Sequence, residues 1–398
     1  MRIGYIIQTW LTERDRRRYG VEYFEAYGDE LRIVELGALF HPELSDRSSS
    51  VFEGDQDRIQ PKSLRALHNA IAGFKEFDMI FCLAAYTGSI ETLLLYRMLR
   101  RLDLPYVVLA SNVHPGFWLY QDQAIGLTKK LRFHLSRILS GQVRPIHSLL
   151  FRLPPRLLGI TAPAAIVHGG RLSMGAVNMF PVDPNTRTIW AHAYDFDEFV
   201  INPEIDTLGD DTAVYIDEHM GFQQDVIALG GKMLTTPERF YPKLRELFDR
   251  VEKELGLKVV VAANPRADLD MADELFGTRR VVKGQTARLI RESRMVMGHC
   301  STAIGMAVMA GKPVILIATR ETYAHWAQKP NMDAFSKSLN EPIRFFDDVG
   351  ECPLDDALVF DRAAYDQYMI DYVKTPGSPM APYWEVVGEA IRENLNAC

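Results

Sequence analysis

The sequence predicts an α/β chain of two domains, each built on a parallel sheet with helices on both faces. Three observations carry this. Short apolar runs rich in Val and Ile alternate with helix-length segments along the 398 residues. The runs are apolar throughout rather than alternating, as expected of strands buried on both faces. A polar, acidic stretch at 202–211, with Pro203 and Gly209, separates two such series and reads as a linker. The length suits two domains of ordinary size. A hydrophobic content of 47% supports packed cores rather than disorder.

In the first series, residues 1–7, 31–39, 77–85, 106–110, 164–167 and 188–193 read as strands. Residues 63–75 have helical spacing, with Leu64, Leu67, Ile71 and Phe74 on one face, and a further helix runs from the Tyr86-Thr87-Gly88-Ser89 loop to Arg101. Neither series carries a Gly-x-Gly-x-x-Gly fingerprint after a strand, which argues against a dinucleotide cofactor. Three strand ends could face an acceptor. His114 sits in Ser111–Gly116 and is either an acceptor-side base or a loop histidine before a turn proline. His168 precedes Gly169-Gly170, which allow close backbone approach to a ligand or form a plain turn. Asp195-Phe196-Asp197 is the one Asp-x-Asp pair in a metal-like setting, and no metal is expected.

Residues 121–160 differ from their surroundings. Lys129, Lys130, Arg132, Arg137, Arg144, Arg152 and Arg156 face a single acid, Asp122, while Leu127, Leu131, Leu135, Ile138 and Leu139 share a helical face. Two readings stand: contact with an anionic membrane surface, or a helix packed by its leucines with its charges in water. The net charge of -7 argues against a general nucleic-acid binder. Cys82, Cys300, Cys352 and Cys398 have no metal-type spacing and suggest a reducing compartment. No apolar run reaches ~18 residues. The expected location is cytoplasmic, peripheral on the inner membrane if the basic segment binds lipid.

The second series opens with 213–216, which ends in Asp217-Glu218-His219. Carboxylates at such a strand end are placed to act as base or nucleophile, Asp217 first and Glu218 second, the alternative for Asp217 being a loop cap. Residues 234–255 form one helix that starts at Thr235 or Thr236 before Pro237. Strands at 259–263, 295–297 and 314–317 follow. After the first comes Asn264-Pro265-Arg266, and after the second Gly298-His299-Cys300-Ser301-Thr302, then a small-residue helix from Ala303 to about Ala310, closed by Gly311. Loops at the carboxyl ends of parallel strands line the ligand crevice. Ser301 and Thr302 offer two hydroxyls beside free backbone N–H groups, which suits a phosphate; one of them as a plain N-cap is the alternative.

The run Gln285–Ile290, Ser293, Met297–Ala303 and Gly311-Lys312-Pro313-Val314 resembles the donor half of bacterial surface-polysaccharide glycosyltransferases of GT-B type, closest to the Kdo transferases of capsule and O-antigen assembly. More distantly it resembles polysialyltransferases, polyol-phosphate polymerases and UDP-sugar 2-epimerases. The resemblance implies two Rossmann-like domains facing a cleft: an acceptor-side domain at 1–200, a nucleotide-sugar domain at 212–380, and a last helix in 381–398 that packs back on the first. It implies a donor held by Asn264, Pro265, Arg266, His299, Ser301 and Thr302, without a bound metal. Many relatives carry His-Pro where this chain has Asn264-Pro265, so charge there would come from Arg266. The implied activity is transfer of a sugar, Kdo or a related ulosonic acid, from a CMP-linked or UDP-linked donor to a glycan or lipid-linked glycan. An epimerase on the same fold and a noncatalytic partner in polysaccharide assembly are the rival readings. Tyr323, His325 and Trp326 follow the last strand and could touch the donor's base, and the closing helix at 382–395 carries a stripe of Trp384, Val387, Ile391 and Leu395.

Overall fold

A computed structural model describes residues 1–40, 58–84, 90–116, 157–201, 211–222, 233–265, 267–325, 328–348 and 352–395. The loop expected at 86–89, nearly all of the basic segment 121–160, most of the linker, Arg266 and Trp326 lie outside these residues.

The first sheet contains β1 (Arg2–Ile7), β2 (Glu30–Glu35), β3 (Arg58–Ile59), β4 (Met79–Cys82), β5 (Tyr106–Ala110), β6 (Ala165–His168) and β7 (Arg187–Trp190), in the order β3-β2-β1-β4-β5-β6-β7. The second contains β8 (Thr212–Ile216), β9 (Lys258–Ala263), β10 (Arg280–Lys283), β11 (Met295–Gly298), β12 (Val314–Ala318) and β13 (Ile343–Phe345), in the order β10-β9-β8-β11-β12-β13. All pairings among the described residues are parallel. Each sheet is doubly wound. The order reverses between β1 and β4 in the first and between β8 and β11 in the second, so each sheet has a crevice at the carboxyl ends of those strands. These are two Rossmann-like domains, the GT-B arrangement.

The central strands are wholly apolar because helices cover both faces. Val214 pairs with Val260 on one side and Val296 on the other. The Pro237–Leu255 helix starts after Thr236, with Pro at its first position, and meets a left-handed Gly256 at its end. Phe240, Tyr241, Leu244, Leu247, Phe248 and Val251 form its buried stripe over Tyr215, Val259 and Val261. Two departures from the sequence reading have local causes. The second strand stops at Glu35 rather than reaching Leu39, because Leu39 and Phe40 donate to the Leu36 carbonyl and wind Gly37–Phe40 into a helical turn against Trp10. The edge strands β10 and β13 escape the apolar pattern, since an edge needs no continuous apolar run; Arg280 and Lys283 put exposed charge on β10, while Arg344 of β13 is buried and paired with Glu341 and Asp356.

The chain leaves the second domain and returns to the first. Tyr365, Tyr368, Tyr372 and Val373 pack with Phe196 and Phe199 against the second sheet's helices. The strand-like segment beyond Val373 then crosses the first domain. Ala193 donates to the Val373 carbonyl (2.7 Å), and Thr375 donates through its amide and hydroxyl to the Gly169 carbonyl (3.3 and 3.1 Å). A Cβ at Gly170 would lie 2.4 Å from the Tyr372 nitrogen, and one at Gly169 2.5 Å from the Ser111 carbonyl. Gly170 therefore admits the protein's own returning backbone, and Gly169 the backbone that follows β5 and β7. Helix Tyr383–Leu395 closes the structure: Tyr383, Trp384, Val387 and Ile391 share a core with Tyr5, Phe24 and Phe81 of the first domain.

Candidate functional site

The chain following β5, β7 and β11 lines one small cleft between the sheets, with room for little more than a water molecule. Asn112 and His114 reach it from the loop after β5, and Asp195 from the turn after β7. Thr302, Gly305 and Met309 reach it from the loop and helix after β11, and Tyr368 and Tyr372 of the returning chain complete the wall. His114 stacks on Phe335 of the second domain at 5.6 Å and 15°, and its Nδ1 donates to the Pro115 carbonyl (2.8 Å). Burial lowers its pKa, so the ring is neutral at pH 7. Thr302 is exposed, whereas the hydroxyl of Ser301 accepts from the Ala303 amide (3.2 Å) within a local turn, and the N-cap of the helix is Ala303, which has no side-chain cap. The helix it precedes is short, Ile304–Met309. Gly305 lets the Tyr368 hydroxyl approach: a Cβ there would sit 3.4 Å from it.

The other carboxylates occupy different ground. Asp217 is 4% exposed; it accepts from the amides of His219 (2.8 Å) and Asn264 (3.2 Å), so it ties β8 to β9. Burial raises its pKa against the pull of those two amides. Glu218 accepts from the amides of His299 (3.2 Å) and Cys300 (2.8 Å), and the Cys300 thiol lies 3.9 Å from its second oxygen. Burial pushes its carboxyl up to about 7, opposed by these amides and helped by the neighbouring charge of Asp217. His299 is a core residue. Its Nδ1 faces the Ile317 carbonyl (2.5 Å), which can only accept, so the proton sits on Nδ1 and Nε2 accepts from the Tyr215 hydroxyl (3.1 Å). Burial lowers its pKa to about 4. His168 is likewise buried, with Nδ1 3.1 Å from the Ser173 hydroxyl and a pKa lowered to about 4 by burial. Asp197 accepts from the Tyr383 amide and lies 3.3 Å from His192, at the seat of the last helix.

The structure thus brings Asp195, His114 and Thr302 to one cleft. It leaves His168 and His299 in cores, and sets Asp217 and Glu218 against backbone amides; Asn264 and the exposed Pro265 stand at the adjoining end of β9. Sequence reasoning missed Gln328. It is 6% exposed, lies beside the Cys300 thiol, and its Nε2 has no hydrogen-bond partner among the described residues. A buried amide donor left open is costly unless water or a ligand meets it. No periodicity marks such a residue; the only sequence signal was its place just after the last predicted donor-side loop.

No family model matches the sequence, and no curated protein matches it significantly. Among solved structures, the calicheamicin glycosyltransferase CalG4 aligns with a TM-score of 0.54 and 15% identity, over 99% of this chain and 98% of that one. UGT2 of Phytolacca americana, solved with UDP-2-fluoro-glucose and pterostilbene, aligns with a TM-score of 0.53 and 10% identity over 100% of both chains. A UDP-GlcNAc 2-epimerase of Methanocaldococcus jannaschii aligns with a TM-score of 0.49 and 8% identity, over 99% of this chain and 100% of that one. At these identities the first two likenesses establish the GT-B fold, and the third adds nothing to it. Among the described residues, no helix is long and apolar enough to cross a membrane.

Proposed function

We propose that this chain is a nucleotide-sugar-dependent glycosyltransferase that works in the cleft between its two sheets. One observation carries the reading: a first-domain carboxylate, Asp195, and a second-domain hydroxyl, Thr302, line the same cleft. In this reading the exposed hydroxyl of Thr302 holds the donor's phosphate, and Gln328 offers a further hydrogen bond to the donor. Asp195 takes the proton from an acceptor hydroxyl as that oxygen attacks the anomeric carbon, and the nucleotide leaves with its phosphate stabilised by hydrogen-bond donors. Tyr368 and the neutral His114 help to shape the acceptor side.

The sequence resemblance favours a CMP-linked ulosonic acid such as Kdo and a glycan or lipid-linked glycan acceptor. A UDP-linked donor is the second candidate, since a structure that shares the fold was solved with a UDP-sugar analogue. The test is thermal denaturation with CMP, UDP, CDP and GDP, then turnover with the matching nucleotide sugars, with and without a glycan acceptor. A nucleotide at ~100 times its dissociation constant adds about 2.7 kcal/mol of stability. Acceptor-dependent release of nucleotide supports transfer. Conversion of the sugar without acceptor assigns an epimerase instead, and no stabilisation by any nucleotide removes the proposal.

A further inference from the structure

We propose that Glu218 is a positioning residue: its carboxylate braces the His299–Ser301 loop across the crevice between β8 and β11, and thereby sets Thr302 in the cleft. The inference rests on reading Thr302 as a donor-phosphate ligand. Glu218 follows β8 and the loop follows β11, the two neighbouring strands where the sheet order reverses. Connections from such strands leave toward opposite faces, so the loops diverge there and the sheet itself does not hold them together. One carboxylate spans the gap. It takes the amides of His299 and Cys300 and the Cys300 thiol.

The rest of the loop is pinned from elsewhere. The His299 ring is anchored inward, to Ile317 on β12 and Tyr215 on β8. Ser301 spends its hydroxyl on Ala303, within its own turn. Thr302 comes next and is the first exposed residue of the run. Two consecutive amides turned to one acceptor fix the backbone shortly before it. The choice of residue also has a reason. Asp217, one position earlier, is committed to His219 and Asn264, and the longer side chain of glutamate is what reaches the next strand. Among the described residues, the charged group that bears on Glu218 is Asp217, and it repels. The amides therefore supply the counter-charge, and a neutral acceptor of the same length should preserve the brace.

The experiment combines amide hydrogen exchange of the peptide covering 299–301 with calorimetric affinities for UDP and CMP. It uses the full chain and the variants Glu218→Ala, Glu218→Gln, Thr302→Ala and the Glu218→Ala/Thr302→Ala pair. Glu218→Asp, too short to reach, replaces the alanine variant should that one fail to fold. The His299 and Cys300 amides are expected to exchange at least ~10-fold faster in Glu218→Ala and near the parent rate in Glu218→Gln, because a lost hydrogen bond to a charged group corresponds to about tenfold or more. Nucleotide affinity should fall about tenfold in Thr302→Ala and in Glu218→Ala, with the double variant no worse than Glu218→Ala alone, since residues acting through each other are not additive. Unchanged loop exchange in Glu218→Ala, or fully additive affinity losses, overturns the proposal. A parent that binds neither nucleotide refutes the donor reading, while the exchange data still decide the brace.

Discussion

The hydroxyls of Ser111 and Tyr383 share a hydrogen bond of 2.6 Å across 272 positions of sequence. Ser111 opens the loop that carries Asn112 and His114 to the cleft, and Tyr383 opens the last helix. The end of the chain therefore buttresses the first-domain wall of the cleft. Both residues are buried, Ser111 fully. Tyr383→Phe would take one of two tyrosine partners from the Ser111 hydroxyl, the other being Tyr194, at a cost of about 0.5–1.5 kcal/mol. Trp384→Ala should cost more, about 3–5 kcal/mol, because its ring packs on Phe24 and Phe81 at 5.7 and 5.6 Å. Urea denaturation of both variants checks the order; a tryptophan variant as stable as the parent would show that the helix is not seated there.

Asp195→Asn and Asp217→Asn should fail in different ways. The first keeps shape in the cleft and removes the carboxylate proposed as the base, so turnover should drop by at least ~100-fold with donor affinity retained. The second puts an amide nitrogen where two backbone amides now meet two carboxylate oxygens. Its effect should be lost stability, about 1–3 kcal/mol, rather than lost chemistry. Turnover and melting measured on the same preparations decide; a fully active Asp195→Asn returns the catalytic role to Asp217 or Glu218.

Gly170→Ala should be among the most damaging small substitutions in the protein. Its new methyl would overlap the backbone of Asp371 and Tyr372, neither of which can rotate away as a side chain can. The expected result is a lower melting temperature together with faster proteolysis near 370–380. Gly28→Ala is a useful contrast: its φ of 78° is strained for alanine, yet a Cβ there meets nothing within 4 Å.

The buried histidines predict acid lability. His299 and His168 have pKa values near 4 in the fold, against ~6.5 when unfolded. As pH falls from 6.5 to 4 the unfolded chain takes up protons that the folded one refuses, so stability declines across that window. For a wholly buried ring the loss is on the order of 3 kcal/mol. Glu218 has the opposite sign. Its raised pKa means the folded state keeps a proton that the unfolded state has released, so stability falls as pH rises from ~4.5 toward 7 and is level above. His299→Gln should flatten the acid side of the stability profile, and Glu218→Gln the side nearer neutrality. Profiles that superimpose on the parent's would contradict both assignments.

The central strands were legible because burial on both faces leaves an unbroken apolar run, as at Val314–Ala318. The Thr302 loop was legible because small residues and a closing Gly311 mark a strand-to-helix turn. What the sequence concealed was partnership. Nothing local shows that Glu218 meets amides 81 and 82 positions away, or that Asp195 faces Thr302. His299 stood in a binding motif by position, yet its ring points into a core, because a strand end alternates its side chains between faces and the neighbouring tyrosine supplied a partner. The Gly-Gly pair reads in sequence as an approach to a ligand or a plain turn, whereas the groups packed against it are the protein's own backbone.

The return of the last helix to the first sheet orders events during synthesis. As the ribosome extends the chain, β1–β7 emerge with Tyr5, Phe24 and Phe81 still lacking their cover. Docking partners for that apolar face do not exist until Trp384, Val387 and Ile391 have left the exit tunnel, by which time the entire second sheet has been made. The domain translated first is therefore the one completed last. In that interval an exposed aromatic face must be kept from other chains, and truncation anywhere before the final helix leaves it permanently uncovered.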